Sequence, residues 1–382
     1  MQGAPTVGMI GGGQLARMSA EAATALGIGF RVLAERSDDP AAQVVRDVRI
    51  GSHLDREDVL AFADGCDVVT FDHEHVPTEI LQALIERGVA VRPGPNALFH
   101  AQDKAHMRAA LTELGVPCPA WALVSTPADV HAFGEAIGWP VVLKTSRGGY
   151  DGKGVWVLRD HAQADAVMQQ ELTPGTEWLV EQHIPFVREL SAQVARSPHG
   201  QAVVYPVVQT TQVDGICAEV VAPAPGLSDA EALQAQQIAL QIAKDLDVVG
   251  MLAVELFDTG DSVVVNELAM RPHNSGHWSI EGAATSQFEN HLRAVLDLPL
   301  GAPTMRAPYA VMVNILGGDV PDLYAAYKHV YARDPEVKVH LYGKDVRPGR
   351  KVGHVTVLGD DPHELLARAR HAADYISGTI DE

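Results

Sequence analysis

The sequence predicts an α/β protein in which a parallel-sheet domain comes first, a β-rich domain follows and a short α/β segment ends the chain. Three observations predict this organisation. Strands and helices alternate over the first 92 residues, short β runs separated by turns begin at Trp121, and a stretch that begins and ends with proline precedes the last segment. Because 382 residues exceed one ordinary domain, we expect domains at 1–100, 101–305 and 306–382.

The first domain is predicted from strand–helix units that end at the Pro-Gly-Pro sequence of 93–95. An apolar strand runs directly into three consecutive glycines, which is typical of a tight turn before a helix. The expected elements are, in order, strand 6–10, helix 14–26, strand 30–34, strand 67–71, helix 78–87 and strand 89–92.

The second domain is predicted to begin with a helix and to continue mainly with strands. A β-hairpin is expected near its end because two apolar runs flank the turn sequence Asp-Thr-Gly-Asp. The expected elements are helix 101–114, strands 140–145, 154–158, 177–181, 189–195 and 202–208, helix 230–246, and hairpin strands 252–257 and 262–268. The third domain is expected to be a small α/β unit from residue 309 onwards.

Composition excludes several classes of function. A net charge of −20 disfavours a nucleic-acid surface, which needs clustered Lys and Arg. No apolar run is long enough to cross a bilayer, and residues 1–10 lack the basic and apolar regions of a secretion signal. Three widely spaced cysteines support neither a disulfide framework nor a zinc site. We therefore expect a cytoplasmic protein that binds no nucleic acid and no membrane.

The first glycine turn matches a dinucleotide-binding fingerprint. Gly11, Gly13 and Ala16 follow a strand in G-x-G-x-x-[GA] spacing, and Glu35 ends the next strand, where a ribose-binding acid belongs. The same turn occurs wherever a helix begins tightly against a sheet and binds some other phosphate. The pattern therefore leaves NAD and another phosphate ligand open.

A second glycine-rich segment follows the strand that carries Lys144. Four glycines occur in the seven positions 148–154, together with Tyr150, Asp151 and Lys153. Such a segment can fold its backbone N–H groups over phosphates, although it is not a Walker A loop. A mobile hairpin turn is the alternative, and the embedded polar residues favour a nucleotide lid.

Carboxylates at four positions suggest a nucleotide and metal site. Glu181 ends a strand and Glu189 lies shortly beyond, a spacing that suits an adenine and a ribose contact but is weak evidence alone. Glu255 and Glu267 occupy the two hairpin strands, with Asn266 beside Glu267. Two carboxylates inside apolar strands repel each other, and Mg²⁺ held jointly with phosphates would remove that repulsion. A pair of solvent-facing glutamates is the alternative.

Two further segments are rich in polar groups. The second hairpin strand carries Asn266 and Glu267 and is called the metal strand. The turn directly after it is predicted to bind a substrate, because helix capping would explain only some of its side chains: Arg271, His273, Asn274 and Ser275. A later loop places four cations within eight residues: Lys344, Arg347, Arg350 and Lys351. In so acidic a protein these cations favour a phosphate clamp, with a solvated surface loop as the alternative.

These elements in this order resemble the ATP-grasp superfamily and, within it, the N5-carboxyaminoimidazole ribonucleotide synthetase family. The resemblance spans almost the whole chain. Its strings are GGGQLARM at 11–18, GGYDGKG at 148–154, EQHI at 181–184, NELAMRPHNSGHW at 266–278 and YGKDVRPGRKVGH at 342–354. HNSGHW and RPGRKVGH are the specific ones, whereas the hinge, which is the EQHI string at 181–184, and the metal carboxylates are common to the superfamily.

The resemblance implies a role for each matching position. ATP binding is implied for Lys104, Lys144, Gly149, Tyr150, Asp151, Gly152, Lys153, Gly154, Val155, Glu181, Gln182, His183, Ile184, Glu189, Gln212, Asn266 and Glu267. Ribonucleotide and bicarbonate binding is implied for Gln14, Glu74, Tyr150, Asp151, Arg271, His273, Asn274, Ser275, Lys344 and Arg350. Metal binding is implied for Glu255 and Glu267, and catalysis for Tyr150, Asp151, Arg271, His273 and Lys351.

The resemblance also implies the reaction and the assembly. ATP would phosphorylate bicarbonate to carboxyphosphate, and the amine of 5-aminoimidazole ribonucleotide would capture that carbon. The expected cofactors are ATP and Mg²⁺, with Mn²⁺ able to substitute, and bicarbonate is a co-substrate. A homodimer is expected. The sequence departs from the family at two ATP contacts, where His100 stands in place of an Arg and Gln212 in place of a His.

Three other functions stay open at this point. A sister ATP-grasp enzyme, such as formate-dependent glycinamide ribonucleotide transformylase or biotin carboxylase, would share the hinge and metal carboxylates. An NAD-dependent oxidoreductase would use the first glycine turn but leaves the lid, the hairpin carboxylates and the basic loop unexplained. A non-catalytic nucleotide sensor is disfavoured by the intact metal ligands.

Overall fold

The N-terminal region forms the predicted parallel sheet. A computed structural model describes residues 3–148 and 153–381, and those residues form three sheets. The first region contains β1 (Thr6–Ile10), α1 (Gln14–Leu26), β2 (Gly29–Ala34), β3 (Asp47–Ile50), α2 (Arg56–Ala63), β4 (Val68–Phe71), α3 (Thr78–Glu86) and β5 (Ala90–Val91). The strand order is β3-β2-β1-β4-β5, and every neighbouring pair is parallel. None of the helices within the described ranges is both long and apolar enough to cross a membrane.

The predicted helix at 101–114 is wrong as a single element. Two helices occupy this region, α4 (Pro95–Gln102) and α5 (Lys104–Glu113). Asp103 separates them because its backbone is extended (φ −134°, ψ 109°) and its carboxylate caps α5 by accepting a hydrogen bond from the His106 N–H at 3.0 Å. The cap places Lys104 at the first position of α5.

A small antiparallel sheet follows. Its elements are β6 (Trp121–Val124), α6 (Pro127–Ile137), β7 (Val141–Thr145), β8 (Val155–Leu158), α7 (His161–Val167) and β9 (Trp178–Gln182). The strand order is β6-β9-β7-β8, so β7 and β9 are neighbours in its centre. Val142 pairs with Glu181 across that contact, which brings the strand of Lys144 against the strand of Glu181.

A larger antiparallel sheet carries the predicted hairpin. Its first elements are β10 (Arg188–Arg196), β11 (Ala202–Val204), β12 (Val208–Val213), β13 (Ile216–Ala222), α8 (Asp229–Asp245), β14 (Gly250–Asp258) and β15 (Val263–Ala269). The predicted strand 202–208 is wrong as one strand, because Pro206 has no N–H to donate to a neighbouring strand. The preceding residue, Tyr205, is buried, and its hydroxyl donates to the Thr285 carbonyl at 3.0 Å. In the predicted hairpin, Glu255 pairs directly with Glu267.

The C-terminal strands continue the same sheet. The last elements are α9 (Ser279–Gly282), α10 (Gln287–Val295), β16 (Tyr309–Leu316), α11 (Tyr327–Arg333), β17 (Lys338–Leu341), β18 (Lys351–Gly359) and α12 (Pro362–Ser377). The sheet runs β15-β14-β10-β12-β13-β16-β18-β17, with β11 on β10. The predicted boundary at residue 306 therefore separates strands that share one sheet, and the three domain limits stay predictions.

A buried histidine joins the first region to the large sheet. Nδ1 of His291 accepts a hydrogen bond from the Met251 N–H at 3.1 Å, so its proton lies on Nε2, which donates to Thr70 Oγ1 at 2.8 Å. Burial lowers the pKa of His291 to about 3, and the ring is neutral at pH 7. The contact fixes β4, which leads to Glu74, against the sheet that carries the carboxylate hairpin.

Candidate active site

A cavity of about 450 Å³ lies between the small sheet and the large sheet, and side chains of the first region also line it. It brings together most of the predicted site residues: Glu74, Lys104, Lys144, Val155, Glu181, Gln182, His183, Ile184, Glu189, Gln212, Glu255, Asn266, Glu267, Arg271, His273, Asn274 and Lys351. Of the described residues to which the resemblance assigns a role, six lie outside the lining: Gln14, Lys153, Gly154, Ser275, Lys344 and Arg350.

The carboxylate of Glu181 is held between two cations. Its Oε1 lies 2.7 Å from Nε of Arg108, and its Oε2 lies 2.7 Å from Nζ of Lys144. Burial would raise the pKa of Glu181, but Lys144 and Arg108 outweigh burial and hold that pKa at about 2. Both carboxylate oxygens therefore have a cationic partner within the protein.

The paired carboxylates lie directly opposite each other on β14 and β15. Burial and the neighbouring carboxylates of Glu267 and Glu189 raise the pKa of Glu255. Nε2 of His273 lies 3.3 Å from Glu255 Oε1, and Nζ of Lys104 lies 3.6 Å from Glu267 Oε1. These cationic and polar neighbours lie on the side of the hairpin that faces the cavity.

The donor set fits Mg²⁺. Glu255, Glu267 and Asn266 offer hard oxygen atoms, and a divalent cation would relieve the repulsion that raises the pKa of Glu255. Across residues 3–148 and 153–381, no three His, Cys, Asp or Glu side chains lie close enough to hold a metal by themselves. An Mg²⁺ ion held here would take further ligands from phosphate or water, which is usual for this ion.

The polar turn after β15 is fixed by residues behind it. Nε of Arg271 lies 2.8 Å from Glu74 Oε2, which ties the turn to the first region. Gln287 holds the backbone of His273 at both ends, accepting from its N–H at 2.9 Å and donating to its carbonyl at 2.8 Å. The buried side-chain amide of Asn274 lines the cavity beside the Cys217 thiol and makes no hydrogen bond to another nitrogen or oxygen atom among the described residues. The turn therefore presents unused polar atoms to a ligand.

A second polar cluster lies next to the first glycine turn. Nζ of Lys344 donates to Oε1 of Gln14, the first residue of α1. The N-terminus of α1 is already capped by Asp72, whose carboxylate accepts from the N–H groups of Gly13 at 2.9 Å and Ala16 at 2.8 Å. A dinucleotide pyrophosphate would need those same N–H groups.

Comparisons with known proteins cover almost the whole chain. Three family models match in order: the ribonucleotide synthetase preATP-grasp domain at 4–102, the ATP-grasp domain at 109–288 and the phosphoribosylaminoimidazole carboxylase C-terminal domain at 310–368. The N5-carboxyaminoimidazole ribonucleotide synthase of Mycobacterium tuberculosis (strain ATCC 25618 / H37Rv) is 53% identical over 378 residues, which are 98% of this chain and 88% of that protein. The chain belongs to the N5-carboxyaminoimidazole ribonucleotide synthase family.

Solved structures of this family have the same fold. The Aspergillus clavatus enzyme in complex with ADP and 5-aminoimidazole ribonucleotide has a TM-score of 0.89 at 34% identity, over 99% of this chain and 100% of that one. The enzyme from Thermus thermophilus has a TM-score of 0.86 at 38% identity, over 98% of this chain and 99% of that one. The predicted family and ATP-grasp fold are confirmed, and with them the prediction of an ATP-dependent ligase.

The predicted roles of individual site residues stay predictions. Gly149, Tyr150, Asp151 and Gly152 lie outside the described residues. Of the two positions that depart from the family, Gln212 lines the cavity, whereas His100 is not in the lining and stacks its ring on His106 with centroids 4.5 Å apart.

Sequence reasoning missed residues that the structure places beside the site. Arg108 and Asp72 were not singled out, although each contacts a predicted element. A signal existed for Arg108, because it follows Lys104 by four residues and such residues share one face of a helix. For Asp72 the sequence offered a position at the end of β4 but no indication that its side chain would cap α1.

Proposed function

We propose that the chain carboxylates 5-aminoimidazole ribonucleotide with ATP and bicarbonate, giving N5-carboxyaminoimidazole ribonucleotide, ADP and phosphate in de novo purine biosynthesis. One observation carries the proposal. A single cavity combines a lysine strand, opposed carboxylates and a polar turn with unused donors, in a chain that shares 53% identity with an N5-carboxyaminoimidazole ribonucleotide synthase.

ATP is assigned to the part of the cavity between the two sheets. The backbone of 181–184 would meet adenine, and Glu189 would meet the ribose. Lys104 and Lys144 would bind the phosphates, since their ammonium groups lie near the carboxylate hairpin. Glu255, Glu267 and Asn266 would hold Mg²⁺, which when bound would neutralise phosphate charge.

The ribonucleotide is assigned to the side nearest the first region. Its phosphate would lie against Lys344 and Arg350, close to Gln14, because Asp72 already occupies the α1 N-terminus. Its imidazole would then point toward Glu74 and the polar turn inside the cavity. A phosphate with about two negative charges needs cations of its own, and a guanidinium suits it well.

The chemistry follows from this arrangement. A bicarbonate oxygen attacks the γ-phosphorus of ATP, and ADP leaves with the electrons of the broken P–O bond. The amine nitrogen then attacks the carbon of carboxyphosphate, phosphate leaves, and the nitrogen loses a proton. Arg271 and Lys351 would stabilise negative charge on the transferred groups. His273 is neutral at pH 7, because burial lowers its pKa to about 3, and it would position bicarbonate through hydrogen bonds.

The resemblance also implies a homodimer and a cytoplasmic location, and both stay part of the proposal. Sedimentation velocity at micromolar concentration tests the first, with a mass of twice 40.9 kDa expected.

The proposed reaction predicts which substrates support ATP cleavage. ADP release should depend on 5-aminoimidazole ribonucleotide together with bicarbonate, and glycinamide ribonucleotide with formate, or biotin with bicarbonate, should not replace them. An NAD-dependent enzyme is disfavoured because Asp72 caps the helix that a pyrophosphate would use. Calorimetric titration should show no micromolar binding of NAD⁺ or NADP⁺, and such binding would contradict the assignment of the first region.

A further inference from the structure

Arg108 lies directly behind the ATP side of the cavity without lining it. Its side chain is fully buried on α5, and Lys104, one turn earlier on the same helix, lines the cavity. Among the described residues, the guanidinium makes three hydrogen bonds, one to β9 and two to β15. Nε donates to Glu181 Oε1 at 2.7 Å, Nη1 donates to the Val265 carbonyl at 3.3 Å, and Nη2 donates to the Asn266 carbonyl at 2.7 Å.

These contacts join the hinge strand to the metal strand. Glu181 belongs to β9 of the small sheet, whereas Val265 and Asn266 belong to β15 of the large sheet, directly before Glu267. One planar guanidinium thus bridges two sheets that together enclose the cavity. A lysine at this position has the charge but not the fixed fork geometry that reaches three acceptors at once.

The charges of the buried group also matter. Arg108 and Lys144 contribute two positive charges and Glu181 one negative charge, so the cluster has a net charge of +1. Without Arg108, the carboxylate of Glu181 would neutralise Lys144, and this cluster would add no net positive charge to the side of the cavity where the phosphates are assigned. Removing one charge from a buried ion cluster leaves the remaining charges without full compensation.

We propose that Arg108 is a positioning residue for ATP that contacts neither ATP nor metal: its charge offsets the carboxylate of Glu181, so that the positive charge of Lys144 remains available to phosphate, and its fork sets the position of the metal strand. The inference rests on the proposed function, because it assumes that the nucleotide phosphates bind at Lys144. The low pKa of Glu181 agrees with a carboxylate shared by two cations. A purely structural role would affect stability and leave the nucleotide affinity of the folded enzyme unchanged.

Charge compensation by a second substitution separates these two roles. Arg108→Met removes one positive charge and should weaken ADP binding about ten- to hundredfold, as expected for a lost buried charge near an anion. Adding Glu181→Gln to Arg108→Met restores the net charge of +1 and should recover most of the ADP affinity. No such recovery is expected if Arg108 only supports the fold, because the double variant lacks even more hydrogen bonds.

The fork predicts a different effect for Arg108→Lys. The charge is kept, so ADP affinity should stay within about threefold of the wild-type value, whereas kcat should fall about tenfold because the metal strand loses its backbone contacts. Arg31→Met is the matched control, since Arg31 also binds one carboxylate (Asp47) and a backbone carbonyl (Phe62) but lies in the first sheet, outside the cavity lining. It should leave ADP affinity and kcat unchanged.

The measurement is calorimetric titration with ADP, with and without Mg²⁺, on variants shown to be folded by circular dichroism, followed by steady-state kinetics. Arg108→Met binding ADP like the wild type would overturn the inference, as would a double variant that binds no better than the single one. If Arg108→Met does not fold, Arg108→Lys decides: unchanged kcat contradicts the positioning role. A wild-type chain that fails to bind ADP would instead overturn the proposed function.

Discussion

Substitution of Arg350 by Ala tests the proposed binding site of the ribonucleotide phosphate. Arg350 is half-buried, and its Nη1 donates to the Asp345 carbonyl at 3.1 Å within the same loop. The loop backbone is fixed independently of that side chain, because Gly317 donates to the Arg350 carbonyl at 2.8 Å and Gly349 donates to the Gly317 carbonyl at 2.9 Å. Truncation should therefore remove a phosphate contact without displacing the loop.

The expected magnitude follows from that environment. A fully exposed ion pair contributes about 0–1 kcal/mol, whereas a charge-assisted hydrogen bond in a partly buried position contributes about 1.5–3 kcal/mol. The half-buried position of Arg350 favours the second range. Arg350→Ala should raise the KM for 5-aminoimidazole ribonucleotide by about one to two powers of ten, while the KM for ATP changes little.

A neighbouring arginine provides the control for this experiment. The side chain of Arg347 belongs to the same loop but is 68% exposed and lies 3.7 Å from Asp345. Arg347→Ala should change the KM for the ribonucleotide by less than about threefold. Steady-state kinetics with each substrate varied in turn decides between the assignments. A rise in the KM for ATP with an unchanged ribonucleotide constant would refute the reasoning and move the loop to the other ligand.

Two further predictions concern the metal carboxylates and the contact between the first region and the large sheet. Glu267→Gln should abolish ADP release at saturating Mg²⁺, because it removes one of the negative charges that would bind the metal. The circular dichroism spectrum should stay unchanged, because the Glu267 side chain is partly exposed. Near-wild-type turnover would exclude Glu267 from the metal site. His291 stays neutral in the fold because burial lowers its pKa to about 3, so the stability it contributes is present above about pH 6.5 and is lost as the pH falls. Between pH 7 and pH 5 the free energy of unfolding should fall by about 2 kcal/mol more for the wild type than for His291→Asn, in urea titrations; equal slopes would contradict a neutral buried ring.

Apolar periodicity and turn residues predicted those elements that depend on neighbouring residues alone. The strand of 6–10, the helix of 14–26 and the carboxylate hairpin lie where the apolar periodicity and the turn residues placed them. The break at Asp103 was missed because a capping carboxylate inside a helical pattern resembles an exposed helix residue until its backbone is seen. Strand β3 was missed because its alternating Asp47 and Arg49 lie at the edge of the sheet and leave little apolar signal.

Contacts between distant segments account for what sequence reasoning could not supply. Arg108 and Glu181 are separated by 73 positions. The sequence around Glu181 therefore does not indicate that its carboxylate binds two cationic side chains in place of an adenine base. Asp72 and Gly13 are separated by 59 positions, so the occupied helix N-terminus, which disfavours NAD, is visible only in the fold. The shared sheet across residue 306 likewise depends on pairing between β13 and β16.

The central claim is tested most directly by measuring ADP release as each substrate is omitted in turn. With ATP, Mg²⁺, bicarbonate and 5-aminoimidazole ribonucleotide all present, the chain should release one ADP and one phosphate for each N5-carboxyaminoimidazole ribonucleotide formed. Omission of the ribonucleotide should reduce ADP release to a small fraction of that rate. Rapid ADP release that is indifferent to the ribonucleotide, or that requires glycinamide ribonucleotide or biotin instead, would contradict the account.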